Sequence, residues 1–142
     1  MVKIHIKKIL VPLDGSKSSF KGLDEAIYLA RQCNATITGL HIVPIYPKKL
    51  GDLVSPLKIS AFDDAKKLMD KSEVICARHG ILFHKKITVG DAKSDISAFA
   101  KQNKFDIIIL GARGLGSVKE LFLGSVSNAV VHKSKVPVLV VK

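Results

Sequence analysis

The sequence predicts a single doubly wound α/β domain over residues 1–142, built on a five-stranded parallel sheet. Apolar strand-like runs alternate with helix-like segments along the whole chain, as in successive right-handed β-α-β units. Residues 107–110 are continuously apolar, which is typical of a central parallel strand covered on both faces. We expect the strand order 3-2-1-4-5, with helices on both faces of the sheet.

The first strand and the first helix follow from a short apolar run and a helical periodicity. Residues 9–13 are apolar and stop at the turn sequence 14–16, which indicates a buried strand. A helix follows, with Ser16 or Ser18 as its N-cap and Asn34 at its end. Its apolar face is formed by Phe20, Leu23, Ile27 and Ala30.

The second strand, at residues 36–43, is β-branched and apolar, and it is followed by an unusually long connection. Prolines and a glycine interrupt residues 44–56, and a loop of this length favours a lid or a binding arm. From Leu57 to Gly80 the apolar pattern is helical, and Gly80 suits the left-handed position after a helix.

The remaining elements continue the alternation. Residues 81–89 predict a third strand nearer a sheet edge, because apolar and polar positions alternate imperfectly there. A short helix over 91–102 precedes the central strand. After a glycine-rich segment, a helix runs to about Ser134, and residues 136–141 form the last strand.

Composition narrows the class of protein. Apolar residues make up 47% of the chain and charged residues 25%, which excludes global disorder. The formal net charge of +11 favours an anionic partner. The lysines occur in short pairs without interleaved aromatics, so the sequence argues against nucleic acid as that partner.

Several other classes find no support in the sequence. No apolar run approaches the roughly 20 residues of a membrane span, and no signal peptide precedes the first strand. Cys33 and Cys76 form no CxxC pair, so we expect reduced thiols and a cytoplasmic protein. The histidines lack metal-ligand spacing, which predicts no metal site, and His41 is expected to be a hydrogen-bonded core histidine.

A set of spaced glycines after the fourth strand indicates a binding site for an anion. Gly111 and Gly114 are followed, after nine residues, by Gly124 and Ser125 at the start of a helix. Glycine lets a backbone N–H approach a phosphate closely, and a helix start attracts an anion. Arg113 adds a cation. Neither the Walker A sequence nor the dinucleotide fingerprint is present, because Ser117 replaces the Walker lysine and no G-x-G-x-x-G follows the first strand.

The spacing G-x-x-G, nine residues, G-S resembles the signature of the ATP-binding universal stress proteins. The resemblance extends over the whole chain and includes the opening residues 8–16, the strand at 40–43 and the closing residues 133–141. It implies a cleft for an adenine nucleotide, ATP with or without Mg²⁺ or Mn²⁺, at the carboxyl edge of the sheet. Members often carry Ser-His or Ser-Arg between the first glycines, where this chain has Ala112-Arg113.

The resemblance also implies a set of site residues. Asp14 would contact the ribose, with Gly111 near it, and Arg113 is a candidate clamp on the phosphates. The adenine would lie at the ends of the first two strands, and the phosphates at the glycine loop. The residues concerned are Val11, Pro12, Ile42 and Val43 for the base and Gly114, Gly124, Ser125, Val126 and Ser127 for the phosphates.

Three functions remain open from the sequence. The first is a nucleotide-dependent switch or binding module in the stress response, with an unidentified protein partner. The second is a slow ATP hydrolase or phosphotransferase, or a protein that prefers AMP or a cyclic nucleotide. The third is a nucleotide-free scaffold. Family members commonly form a homodimer through the last strand, and an unpaired apolar edge at 136–141 would favour aggregation.

Overall fold

The computed structural model describes residues 5–45, 56–115 and 122–142, without the side chains of residues 56–58. Most of the predicted lid at 44–56, together with residues 116–121, lies outside the described residues. The strands are β1 (Lys8–Pro12), β2 (Thr36–Pro44), β3 (Phe83–Gly90), β4 (Ile107–Gly111) and β5 (Val138–Val141). The helices are α1 (Lys17–Cys33), α2 (Pro56–Arg78), α3 (Ala92–Gln102) and α4 (Ser125–Lys133).

The strands form one parallel sheet in the order β3-β2-β1-β4-β5, which confirms the predicted order. Chain progression moves outward from β1 to β3 and then returns to β4 on the other side of β1. β1 and β4 are therefore neighbours at the point where the direction of winding reverses. Ligands of open α/β sheets bind at the carboxyl ends of the strands at such a point.

The two faces of the sheet carry separate apolar cores. α1 and α2 pack on one face, where their buried side chains meet Ile9, Val11, Ile37 and Ile109. α3 and α4 pack on the other face against Leu10, Leu40, Ile108 and Leu110. Alternate residues of β1 and β4 therefore point to opposite cores, which explains why these strands are apolar at every position.

Capping side chains fix the helix ends close to the predicted positions. Ser16, rather than Ser18, caps α1, because its hydroxyl accepts a hydrogen bond from the Ser19 amide at 3.1 Å. Asn34 adopts the left-handed conformation at the other end, with a φ of 56°. Gly80 is also left-handed, with a φ of 72°, and follows the end of α2 as predicted.

β5 begins two residues later than the sequence predicts. The Ser134 hydroxyl accepts from the Val136 amide at 3.0 Å and donates to the Val136 carbonyl at 2.6 Å. These bonds hold Val136 in a turn, and Pro137 has no amide hydrogen to contribute to the sheet. Pairing with β4 therefore starts at Val138, opposite Ile108.

Both cysteines are free thiols. Cys76 is fully buried on α2, and its burial raises the pKa of the thiol to about 12. A thiol of this kind is an inert part of the core. Among the described residues, no helix is both long and apolar enough to cross a membrane, and no group of acids, histidines or cysteines is arranged to hold a metal ion.

Candidate functional site

A cleft of about 150 Å³ opens at the carboxyl edge of the sheet, where β1 and β4 end side by side. One wall is apolar and is formed by the ends of β2 and β4 and the start of α3. Its residues are Leu40, Ile42, Leu110, Ala92 and Ile96. The opposite wall is polar and contains Asp14, Arg113 and Ser125. The cleft thus offers an apolar slot beside a polar rim, the combination that small-molecule sites use for affinity and orientation.

The start of α4 forms part of the polar rim. Ser16 and Asp91 cap α1 and α3 with their side chains, but Gly124 at the N-cap of α4 has no side chain to do so. Ser125, Val126 and Ser127 in the first turn line the cleft. The first amides of a helix have no acceptor within it, and the helix dipole makes this end positive. This end of the cleft is therefore suited to an anion.

Asp14 connects the end of β1 to the glycine arm that follows β4. One carboxylate oxygen accepts from the Ser16 amide at 2.9 Å, and the other accepts from the Leu115 amide at 3.0 Å. A Cβ atom added to Gly114 would lie 2.6 Å from the second oxygen, so glycine is what allows the arm to pass this close. A carboxylate has about four lone-pair sites, which leaves capacity for further hydrogen bonds from a ligand.

Two serines position the residues between β4 and the arm. The Ser18 hydroxyl accepts from the Arg113 amide at 3.1 Å, and a Cβ atom on Gly111 would overlap the Ser18 backbone carbonyl. The Ser127 hydroxyl donates to the Ala112 carbonyl at 2.6 Å and is buried. The Ser127 hydroxyl therefore fixes the loop, whereas the Ser125 side chain is exposed at the rim.

Most of the site residues predicted from the sequence meet at this cleft, and three do not line it. The residues that line it are Pro12, Asp14, Ile42, Gly111, Arg113, Gly114, Ser125, Val126 and Ser127. Val11 and Val43 are fully buried, backbone included, and neither lines the cleft. Gly124 is buried beneath the rim, where its amide donates to the Ala112 carbonyl at 2.7 Å.

Sequence reasoning missed the contribution of α3. Ala92 and Ile96 complete the apolar wall because the start of α3 follows the carboxyl end of β3, at the same edge of the sheet. The β-α-β pattern could have indicated this contribution, because it places the start of each helix just after the carboxyl end of a strand. His41 is hydrogen-bonded as predicted, since its Nδ1 lies 2.7 Å from the Leu13 carbonyl and therefore donates, but it is half-buried and lines the cleft rather than lying in the core.

Comparison with known proteins agrees with the family resemblance of the sequence, over nearly the whole chain. The profile described as the Universal stress protein family matches residues 5–142. Universal stress protein MJ0577 of Methanocaldococcus jannaschii is 28% identical, over 99% of this chain and 98% of its own. The solved structure of MJ0577 has a TM-score of 0.88 at 31% identity, over 98% of this chain and 97% of that one.

Two more distant solved structures show the same fold and contain a nucleotide. A universal stress protein in complex with cAMP has a TM-score of 0.76 at 22% identity, over 96% of this chain and 97% of its own. A universal stress protein family protein of Arabidopsis thaliana with AMP bound has a TM-score of 0.71 at 20% identity, over 96% of this chain and 91% of its own.

Proposed function

The chain belongs to the universal stress protein family, and on that premise we propose that it binds an adenine nucleotide and acts as a nucleotide-dependent switch or binding module in the stress response. One observation carries the proposal. The N-terminus of α4, which has no side-chain cap, lies at the same cleft as an apolar slot and the Asp14 carboxylate. Phosphate, base and ribose would each find a chemically matching partner there.

The proposed binding mode follows the chemistry of the two walls. The flat base enters the slot between Ile42 and Ile96, and the ribose hydroxyls donate to Asp14. The phosphates reach the amides at the start of α4, with Arg113 at the rim. A cleft of about 150 Å³ is smaller than the roughly 300 Å³ at which ligand pockets usually start, so the phosphates would extend out along the glycine arm.

ATP is the proposed nucleotide, and AMP and cyclic AMP are the alternatives. The related structures with cAMP and with AMP support the adenosine part of the ligand. The combination of Gly114, the α4 start and Arg113 favours a longer phosphate chain, because one phosphate would use only part of it. Nucleotide released by heating the purified protein and identified by mass spectrometry tests this order of preference.

The switch would act through the bond between Asp14 and the Leu115 amide. Ribose hydroxyls would donate to the same carboxylate, in competition with the Leu115 amide of the arm. A nucleotide can shift the arm only if it binds one arrangement better than the other. Asp14 touches both the arm and the proposed ribose position, so it is the group through which this difference in affinity would arise.

We predict that Asp14→Ala weakens ATP binding by about 10- to 100-fold, because it removes charge-assisted hydrogen bonds to the ribose and to the arm. Asp63→Ala, an exposed acid on α2, is the matched control and should bind like the parent. Isothermal titration calorimetry measures both variants. Parent-like affinity in Asp14→Ala would contradict the proposed role of this carboxylate.

A slow hydrolase is the alternative function, and the residues at the rim argue for low turnover. Among the described residues lining the cleft, Asp14 is the only acid and Arg113 the only cation. Phosphoryl transfer needs several charges or a metal around the γ-phosphate. Mg²⁺ or Mn²⁺ would be held mainly by the nucleotide and by water, with Asp14 as the nearest carboxylate.

We therefore expect single-turnover hydrolysis of bound ATP to be far slower than about 1 s⁻¹, with or without Mg²⁺ or Mn²⁺. Quenched-flow measurement of released phosphate checks this. A rate near 1 s⁻¹ that disappears in Asp14→Ala would establish an ATPase in place of a switch.

We also propose that one nucleotide-binding domain, residues 1–142, works as a cytoplasmic homodimer formed through β5. β5 pairs with β4 on one side, and its Leu139 side chain is 41% exposed. An apolar parallel edge of this kind is a template for pairing with a second chain.

Leu139→Lys is expected to shift the protein towards monomer in sedimentation equilibrium, and Val74→Lys on α2 is the control. A parent chain that stays monomeric at high micromolar concentration would refute the dimer.

A further inference from the structure

At the amino ends of the strands, opposite the cleft, the protein carries a row of exposed basic side chains. The four helices run antiparallel to the strands, so their C-termini and the loops that follow them lie together at the amino ends of the strands. Four strand spacings of about 4.8 Å make this row about 19 Å long. We call this surface the basic edge, formed by Lys7, Lys8, Arg31, Arg78, Lys101, Lys104, Lys133 and Lys135.

The basic edge has little compensating negative charge. Asp106 is the only acid in the loops and strand starts that form it, and its carboxylate accepts from the Lys7 and Lys8 amides at 2.7 and 2.9 Å. Basic residues in the last turn of a helix favour its dipole, which accounts for Arg31, Arg78 and Lys101. Lys7 and Lys135 lie outside the helices, so helix stabilisation does not explain the whole row.

A groove of about 320 Å³ lies at the β3 end of the basic edge, between the end of α1 and the loop that follows α2. Ala30, Ala35 and Ile81 line its base but are almost completely buried. Arg31 and His79 stand at the rim, and the Leu82 side chain beside them is 61% exposed. The exposed Leu82 side chain and the Arg31 guanidinium line the same groove, which suits a segment that alternates apolar and acidic side chains.

We propose that the basic edge and its groove form a docking surface for an acidic segment of a partner protein. An acidic peptide offers carboxylates to the lysines and arginines of this edge. A nucleic acid backbone also offers anions to lysines and arginines, but a protein segment can in addition place apolar side chains against the exposed Leu82, which a phosphate backbone cannot do. Phe83 and Phe105 lie at this edge and both are buried, Phe105 with Lys8 over its face, so neither offers a stacking surface for a base.

This docking surface goes beyond the proposed nucleotide switch and does not depend on it. The cleft and the groove lie at opposite edges of the sheet, so substitutions in the groove should leave nucleotide binding unchanged. The two sites can therefore be tested separately in the same full-length protein, with ATP titration as the readout for the cleft.

The test is fluorescence anisotropy of a labelled peptide in which Glu alternates with Leu. Arg31→Glu/Arg78→Glu reverses two charges beside the groove, and we expect it to weaken peptide binding about tenfold or more, because like charges would then face each other. Lys66→Glu/Lys67→Glu makes the same change in net charge on exposed positions of α2 and should weaken binding less than about threefold. A peptide with Gln in place of Glu should bind at least about tenfold more weakly than the Glu peptide.

Circular dichroism establishes that each variant is folded. If charge reversal impairs folding, the comparison is repeated with neutral variants, Arg31→Gln/Arg78→Gln in the groove and Lys66→Gln/Lys67→Gln as the control. Equal weakening in both pairs would show attraction by net charge alone and overturn the proposal. It would equally be overturned if the peptide failed to bind, or if a mixed-sequence single-stranded oligonucleotide bound more tightly than the peptide at the same salt concentration and lost affinity in Arg31→Glu/Arg78→Glu.

Discussion

Gly124→Val is expected to abolish nucleotide binding while the protein remains folded. Gly124 has a φ of −69° and a ψ of 168°, an extended conformation that valine adopts readily, so the backbone need not change. Gly124 also precedes the first turn of α4, whose amides are the proposed phosphate ligands. Because Gly124 is buried, a branched side chain there is expected to displace the first turn of α4 and with it the amides that would meet a phosphate.

Loss of several hydrogen bonds to a charged phosphate corresponds to about a 100-fold or greater loss of affinity. Asn128→Val, at an exposed position one turn further along α4, is the matched control and should bind ATP like the parent. Calorimetric titration gives the affinities, and the far-ultraviolet circular dichroism spectrum verifies the fold. If Gly124→Val binds ATP within about threefold of the parent affinity, the start of α4 does not bind the phosphates.

Gly111→Ala should lower the free energy of unfolding by about 3 kcal/mol, because the added methyl group meets backbone rather than a movable side chain. The overlap is with the Ser18 carbonyl on α1, and Gly22 on the same helix approaches the other side of this contact. A Cβ atom on Gly22 would lie 3.0 Å from the Gly111 amide nitrogen. α1 and β4 are therefore in close backbone contact, and neither can move aside easily.

Gly114→Ala is the matched comparison for this stability effect. Its added methyl group would meet only the Asp14 carboxylate, the end of a side chain that can turn away. We expect Gly114→Ala to cost less than about 1 kcal/mol of stability and to weaken nucleotide binding by displacing Asp14. Urea denaturation measures both variants. Equal stability of Gly111→Ala and the parent would show that the contact between α1 and β4 adjusts more easily than the structure indicates.

The sequence predicted most of the fold because the apolar pattern specifies it. The alternation of strand and helix segments gave the parallel sheet, and the fully apolar residues 107–110 correctly marked a central strand. The start of β5 was predicted too early, because the side-chain bonds of Ser134 and the missing amide hydrogen of Pro137 are local effects that an apolar run does not reveal.

The candidate site was less predictable, because a shared residue type does not imply a shared role. The motif grouped Gly111 with Gly114 and Gly124, but Gly111 makes room for the Ser18 carbonyl, Gly114 makes room for the Asp14 carboxylate, and Gly124 leaves the start of α4 without a side-chain cap. The Ser127 hydroxyl is likewise occupied by the Ala112 carbonyl. Such distinctions depend on contacts between residues far apart in sequence, which spacing alone does not contain.

We propose above that the cleft between β1 and β4 binds an adenine nucleotide with its phosphates at the start of α4. A titration of ¹⁵N-labelled protein with ATP, followed by two-dimensional ¹H–¹⁵N NMR, tests it most directly, because each backbone amide reports separately. We expect saturable shifts at residues 111–115 and 125–127, with little change at the basic edge. Unchanged spectra at saturating ATP, or shifts confined to the basic edge, would contradict it.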